Sequence, residues 1–281
     1  MRINTNVSSL TAQNASTQNN KNISSSLEKL GTGLRINKAS DDASGLAIAD
    51  KLRTQASSLS QSVKNGNAAI TLTQIADKAM SEQSNILDII KTKLIQASTA
   101  TTTSAGVTAI SQDIQKLGAQ LDNIAANTNY NGMTLLQASA GSTATAGTKI
   151  FQLGEFSGDT IEITSGQVQA NLSGLGLVSA GNLSIGTNSD ASALLDDMDT
   201  ALTNLNTMRS VFGSTQTQVQ SKVRNLETTV TNLKAAESII RDVDYAAESA
   251  NFNKLNIISQ AGTYAISQAN AAQQNVMRLL Q

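Results

Sequence analysis

Asp41-Asp42 and Asp196-Asp197-Met198-Asp199 are the acidic clusters of this chain, and carboxylates so grouped can ligate a hard cation. Neither run has the ligand spacing of a calcium loop. Both fall where helices are predicted to begin, and acids there complement the helix dipole. Serine is plentiful, but no His stands in the chain to activate a hydroxyl, and no phosphate loop of the GKS kind occurs. Cys is also absent, which removes thiolate nucleophiles, thiolate metal sites and disulfides. The residue types therefore predict a protein that is not an enzyme and takes neither metal nor cofactor.

Composition points to a long, thin helical assembly. Aromatic residues make up 2% of the 281 residues and Trp is missing, so no core can be built on large rings. Hydrophobic residues reach 40%, but alanine supplies much of that and buries little area per residue. The missing burial must come from packing between helices or between copies. No Pro interrupts a helix. A net charge of -1 argues against a nucleic-acid partner. Residues 255–277 are charge-free and long enough to span a bilayer, but ten of them are Asn, Gln, Ser or Thr, which argues against membrane insertion. The N-terminus, MRINTNVSSL, lacks the apolar core of a secretory signal.

The elements follow from periodicity. Residues 238–281 are predicted as one helix about 66 Å long at 1.5 Å per residue. Its seam is Ile258, Ala261, Ala265, Ala269, Ala272, Val276 and Leu279, at steps of three and four. That seam is too narrow to bury itself and needs another part of the chain or another copy. At the other end Ile23, Leu27, Leu30 and Leu34 repeat the same spacing, with Val7 and Leu10 upstream and a polar run over 11–20 between. Gly31-Thr32-Gly33 is expected to break that helix, and 34–37 to form an extended connector. Ser40 is expected to cap the next helix, which runs to about 98. It carries Leu52, Ala56, Leu59 and Val63 on one seam, then Leu72, Ala76, Ala79, Gln83, Ile86 and Ile90, with a register slip at Gly66. Further helices are predicted over 107–127 and from 190 onward, where Val219, Val223, Leu226, Val230, Leu233, Glu237 and Ile240 trace a heptad stripe. Between them Asn131-Gly132 marks a tight turn, and 149–153 with 160–163 a β-hairpin. The fold class is mainly α: long helices in bundle or coiled-coil packing, the two terminal helices paired, and a small β-hairpin region at mid-chain.

Several motifs agree on a family. Leu27-Glu-Lys-Leu-Gly-Thr-Gly-Leu-Arg-Ile-Asn-Lys-Ala-Ser-Asp-Asp-Ala-Ser-Gly-Leu-Ala-Ile-Ala49 resembles the N-terminal signature of bacterial flagellin. The segments 236–248, AESIIRDVDYAAE, and 268–280, QANAAQQNVMRLL, resemble its C-terminal signature, and 129–136, NYNGMTLL, its turn into the β region. The resemblance covers nearly the whole chain in order.

It implies a structural subunit that is exported unfolded by the flagellar secretion system and polymerises into the extracellular flagellar filament for swimming. Implied partners are other copies of itself, an export chaperone, the filament cap and the hook-junction proteins. The implied domains are 1–40 with 240–281 (the family's D0, the filament core) and 41–239 (D1), the latter made of helices 41–98, 107–127 and 190–239 with β and loop structure over 128–189. About sixty residues between the helical halves leave no room for large outer domains. The polymerisation seam would be Leu27, Leu30, Leu34, Ile258, Ala261, Ala265, Ala269, Ala272, Val276 and Leu279. The alternative within the superfamily is a hook–filament junction protein. Loop 138–148, made of Ala, Gly, Ser and Thr with Lys following, is a candidate for O-glycosylation. Toll-like receptor 5 reads a segment resembling Q-R-V-R-E-L-A-V-Q in this family, and 88–96, DIIKTKLIQ, stands in its place. Ile89 replaces an Arg and Lys93 a Leu there, so weak receptor binding is implied.

Overall fold

The computed structural model describes residues 5–137, 147–164, 168–177 and 183–279, with side chains to 275. Five long helices and four short strands follow in the order α1 (Val7–Thr32), α2 (Ala43–Ser98), α3 (Ser104–Asn127), β1 (Asn129–Tyr130), β2 (Met133–Thr134), β3 (Lys149–Gln152), β4 (Thr160–Ile163), α4 (Asn188–Arg241) and α5 (Tyr245–Leu279). Mainly α architecture with mid-chain hairpins is thus the observed fold class. The side chains of Val276 and Leu279, and residues 138–146 of the candidate glycan loop, lie outside the described residues. Two compact units divide the chain, one of Met1–Ala56 with Thr231–Gln281 and one of Ser57–Val230.

In the first unit the helix ends are fixed by side-chain caps and by one left-handed glycine. The Asn6 side chain accepts from Ser9 N at 3.1 Å and starts α1. Gly33 ends it in the left-handed region, at φ 75°, with its N–H donating to Lys29 O. The polar run over 11–20 does not interrupt α1. The expected cap Ser40 is replaced by Asp42, whose carboxylate accepts from Gly45 N at 2.9 Å. Asp41 turns the other way and accepts from the N–H groups of Asn37 and Lys38. These two backbone donors, that of Lys38 foremost, hold its carboxyl below the ordinary value. The acids at 41–42 are thus occupied by chain geometry.

The helix expected over 238–281 is in fact two. Arg241 ends α4, and the Asp244 carboxylate caps α5 by accepting from Ala246 N and Ala247 N at 2.9 and 3.1 Å. Hydrophobic periodicity cannot see this break, because no Gly or Pro marks it and the capping acid looks like any polar position. At 35 residues α5 spans about 52 Å.

The second unit holds the aliphatic core. Met80, Leu87, Ile90 and Leu94 of α2, Ile114 and Leu121 of α3, and Met198, Leu205 and Phe212 of α4 pack with Leu135, Leu136, Ile163 and Leu175. Buried positions along α2 follow steps of three and four with one extra step of three across Ala56, Leu59 and Ser62. The register slip therefore precedes Gly66. That glycine serves another purpose: a Cβ on it would stand 2.3 Å from Val223 Cγ2, so it admits α4 at close range. α3 begins three residues earlier than predicted because the Thr103 hydroxyl accepts from Gly106 N. A capping box starts α4: Thr187 Oγ1 accepts from Asp190 N, and the Asp190 carboxylate accepts from Thr187 N and Gly186 N.

The β region matches its sequence signals. β1 and β2 pair across Asn131-Gly132, whose φ angles of 50° and 80° are those of a primed hairpin turn. β3 and β4 are antiparallel, with Lys149 opposite Ile163 and Gln152 opposite Thr160.

Candidate assembly site

α1 and α5 pack against each other in antiparallel fashion. On α1 the stripe that loses solvent is Ser9, Ala12, Ser16, Asn19, Ile23, Ser26 and Leu30; on α5 it is Glu248, Phe252, Leu255, Ser259, Gly262, Ile266, Ala269 and Gln273. Both step by three and four throughout, the period of paired helices. Most of these side chains are small or polar. Hydrogen bonds supplement the thin packing: Asn6 Nδ2 donates to Ala269 O at 3.1 Å, Asn19 Nδ2 to Leu255 O at 2.9 Å, and the Ser26 hydroxyl to the Glu248 carboxylate. That hydroxyl, with lesser help from Asn251 and Lys29, keeps the Glu248 carboxyl below its ordinary range.

Beyond the last turn of α1 the two connectors clasp each other. Leu34 bridges Asp242, Arg35 N donates to Arg241 O at 2.6 Å, and Val243 N donates to Gly33 O at 3.0 Å. Arg35 Nη2 adds a bond to Ile240 O at 2.7 Å. The Tyr245 ring lies over Gly33, where a Cβ would come within 2.9 Å of the hydroxyl oxygen.

Most of the sequence-predicted seam lies elsewhere. Of its α5 members, Ile258, Ala261, Ala265 and Ala272 face away from α1 and are exposed, Ile258 to 44%, while Ala269 alone sits half-buried in the inner stripe. On the α1 side Leu30 and Leu34 are half-buried, but Leu27 is 58% exposed. Ile257 and Tyr264 border the outer α5 face at 67% and 74%, and Val7 and Leu10 are exposed on α1. α5 therefore has two stripes, one covered by α1 and one uncovered in the single chain. Counting apolar residues found the second and missed the first, because Glu248, Ser259, Gly262 and Gln273 interrupt the inner stripe.

The other candidates occupy ordinary surface. Lys93 Nζ pairs with Asp113 Oδ2 at 2.9 Å, and that hydrogen bond lowers the Asp113 pKa. Ile89 is exposed, and Lys91 pairs with Asp199. A polar concavity of about 570 Å³ lies among Thr17, Lys21, Glu28 and Lys38, where Lys38 Nζ and Glu28 Oε2 satisfy each other at 2.6 Å. Among the described residues there is no group of three or more potential metal-ligating side chains, and no helix is long and apolar enough to cross a membrane.

Comparison with known proteins gives this arrangement a family. The model of the bacterial flagellin N-terminal helical region matches residues 3–141, and that of the C-terminal helical region matches 195–280. Flagellin of Bacillus subtilis strain 168 is 34% identical over the full length of both chains. This chain belongs to the bacterial flagellin family. Flagellin B of Helicobacter pylori J99 is 48% identical over 170 residues, which are 60% of this chain and 32% of that one, so the chain spans about a third of that relative's length. The crystal structure of Bacillus cereus flagellin superposes with a TM-score of 0.50 at 26% identity, covering 62% of this chain and 94% of that one. The full-length match with a flagellin of nearly equal size accords with a short form that lacks large outer domains. Flagellins are structural proteins, in keeping with a site made of packing faces.

Proposed function

We propose that this chain is a structural subunit that polymerises into the bacterial flagellar filament and so serves swimming motility. The observation that carries the reading, within a flagellin, is the uncovered stripe of α5. Ile257, Ile258, Ala261, Tyr264 and Ala265 form a largely apolar face that α1 leaves open. A second copy is its natural cover, since apolar area removed from water contributes roughly 25 cal/mol per Å². The seam of Leu27, Leu30, Leu34, Ile258, Ala261, Ala265, Ala269, Ala272, Val276 and Leu279 divides accordingly: Leu30 and Ala269 serve the pairing of α1 with α5, and Leu27, Ile258, Ala261, Ala265 and Ala272 are left for a second copy, within a filament-core domain of 1–40 and 240–281; residues 41–239 form the middle domain. The subunit passes unfolded through the flagellar secretion system and is extracellular once assembled. Its further partners are an export chaperone, the filament cap and the hook-junction proteins, and its binding to Toll-like receptor 5 is weak. Among relatives the names are flagellin and flagellar filament core protein, which favours the filament subunit over a hook–filament junction protein.

Electron microscopy of purified protein added to short filament seeds tests this. A filament subunit lengthens the seeds in proportion to the protein supplied. A junction protein would bind seed ends and stop there, and that outcome would overturn the proposal.

A further inference from the structure

We propose that the register of the antiparallel α1–α5 pair is set at its clasp end, by the Gly33–Asp242 connectors and the Ser26–Glu248 contact, and not along the seam beyond. The partner residue on α5 rises from 248 to 255 to 269 as the α1 residue falls from 26 to 19 to 6, which fixes the observed alignment. The two bonds farther from the clasp end on main-chain oxygens, Leu255 O and Ala269 O. Every residue of a helix offers such an oxygen, so these bonds add affinity without naming a position. Along that stretch Ser9, Ala12, Ser16, Ser259 and Gly262 are small, so Leu255 and Ile266 are the large side chains that a slide of one heptad must carry past.

The clasp end differs in kind. Glu248 is the one acid on the inner stripe, and its carboxylate is satisfied by the Ser26 hydroxyl, itself 2% exposed. A slip of one heptad along α5 would turn that hydroxyl toward Leu255 or draw it past the end of the helix. Next to it, the exchange of bonds between 33–35 and 241–243 pairs particular connector residues, and it depends on Gly33 being left-handed beneath Tyr245. A single polar pair can fix the register of paired helices at some cost in stability. Here that role falls to the end where the chain already returns on itself.

The absence of Cys makes the register directly readable. Ala12→Cys is combined in turn with Leu255→Cys, Gly262→Cys and Ala269→Cys, all inner-stripe positions one heptad apart, and seeded filaments are oxidised. Intramolecular disulfides are separated by gel mobility from those between subunits. The alignment above predicts a preference of about tenfold or more for the 12–262 pair. Asn19→Ala should preserve that preference while lowering thermal stability. Gly33→Val should spread cross-linking to 255 and 269, as should Ser26→Ala combined with Glu248→Leu. A register lost in Asn19→Ala, or kept in both clasp variants, overturns the proposal, as does equal cross-linking in the parent. The sample choice rests on the filament reading. If the parent chains do not polymerise, that reading fails by itself, and oxidation of soluble chains in an osmolyte that favours burial decides the register.

Discussion

Ala265 and Ala272 lie on the outer face of α5, exposed in the single chain, while nearby Gly262 and Ile266 face α1. A carboxylate at 265 or 272 therefore costs the isolated subunit nothing in buried polarity. Between two close-packed copies it would have neither water nor a donor, a penalty of several kcal/mol for an unpaired buried carboxylate. Ala265→Asp and Ala272→Asp are thus expected to abolish filament growth from seeds while leaving the circular dichroism spectrum and thermal midpoint of the 57–230 unit unchanged. Normal filaments from either variant would remove that face from the seam. Glu248 acts through protonation. Its folded pKa is depressed, chiefly by the Ser26 hydroxyl and then by Asn251 and Lys29, so its contribution is fully present above the ordinary value near 4.5 and is lost as pH falls through the lower folded value. Glu248→Gln should lower the thermal midpoint of filaments at pH 7, and the gap from the parent should close in acid below pH 4.5. A gap constant down to pH 3 would mean that the carboxylate charge does not stabilise the helix pair.

At the scale of elements, α1 and α5 differ from the helices of the 57–230 unit in what they bury. The latter pack Met80, Leu87, Ile114, Leu205 and Phe212 into one core. The terminal helices share a mixed stripe in which Ile23, Phe252, Leu255 and Ile266 are interspersed with Ala12, Ser16, Asn19, Ser259 and Gly262 and most members stay partly exposed. That area is expected to be too small to offset ordering entropy of about 1–2 kcal/mol per residue unless a neighbour adds more. Soluble subunits are therefore expected to lose both termini to limited proteolysis, down to a core near 45–235, and filaments to resist. Protected termini in the soluble subunit would refute this. The same contrast explains what was legible in the sequence. Long apolar stripes such as Leu72, Ala76 and Ile90 announced their helices and their buried faces, and Asn131-Gly132 announced its turn. The inner α5 stripe stayed hidden because Glu248, Ser259, Gly262 and Gln273 break up the apolar run of Phe252, Leu255, Ile266 and Ala269, so hydropathy alone does not trace it. The break after Arg241 stayed hidden because one Asp side chain makes it. The outer stripe was legible as a face in need of a partner, although its partner is not α1.

Among the proposed partners of the whole subunit is Toll-like receptor 5, which on the flagellin resemblance would read residues 88–96. In that segment Ile90 and Leu94 are buried in the core, which leaves Asp88, Ile89, Thr92, Ile95 and Gln96 exposed and Lys91 and Lys93 partly so. Ile89 offers no planar five-donor group where the recognised pattern has Arg. Lys93 is not a loose charge: its ammonium is held by Asp113 at 2.9 Å, and a receptor seeking an apolar contact there would have to bury or break that pair. Losses at two central positions of an interface lower affinity by roughly a hundredfold or more. None of these side chains belongs to the assigned seam, so polymerisation and receptor signalling should separate. Ile89→Arg combined with Lys93→Leu is expected to leave seeded filament growth unchanged and to raise the potency of the soluble subunit in a receptor reporter cell by about tenfold or more. Lys93→Leu alone should act partially, since it removes the ion pair but supplies no guanidinium. If the unaltered subunit already signals at low nanomolar concentration, or if the double variant gains nothing, Ile89 and Lys93 are not what weakens recognition.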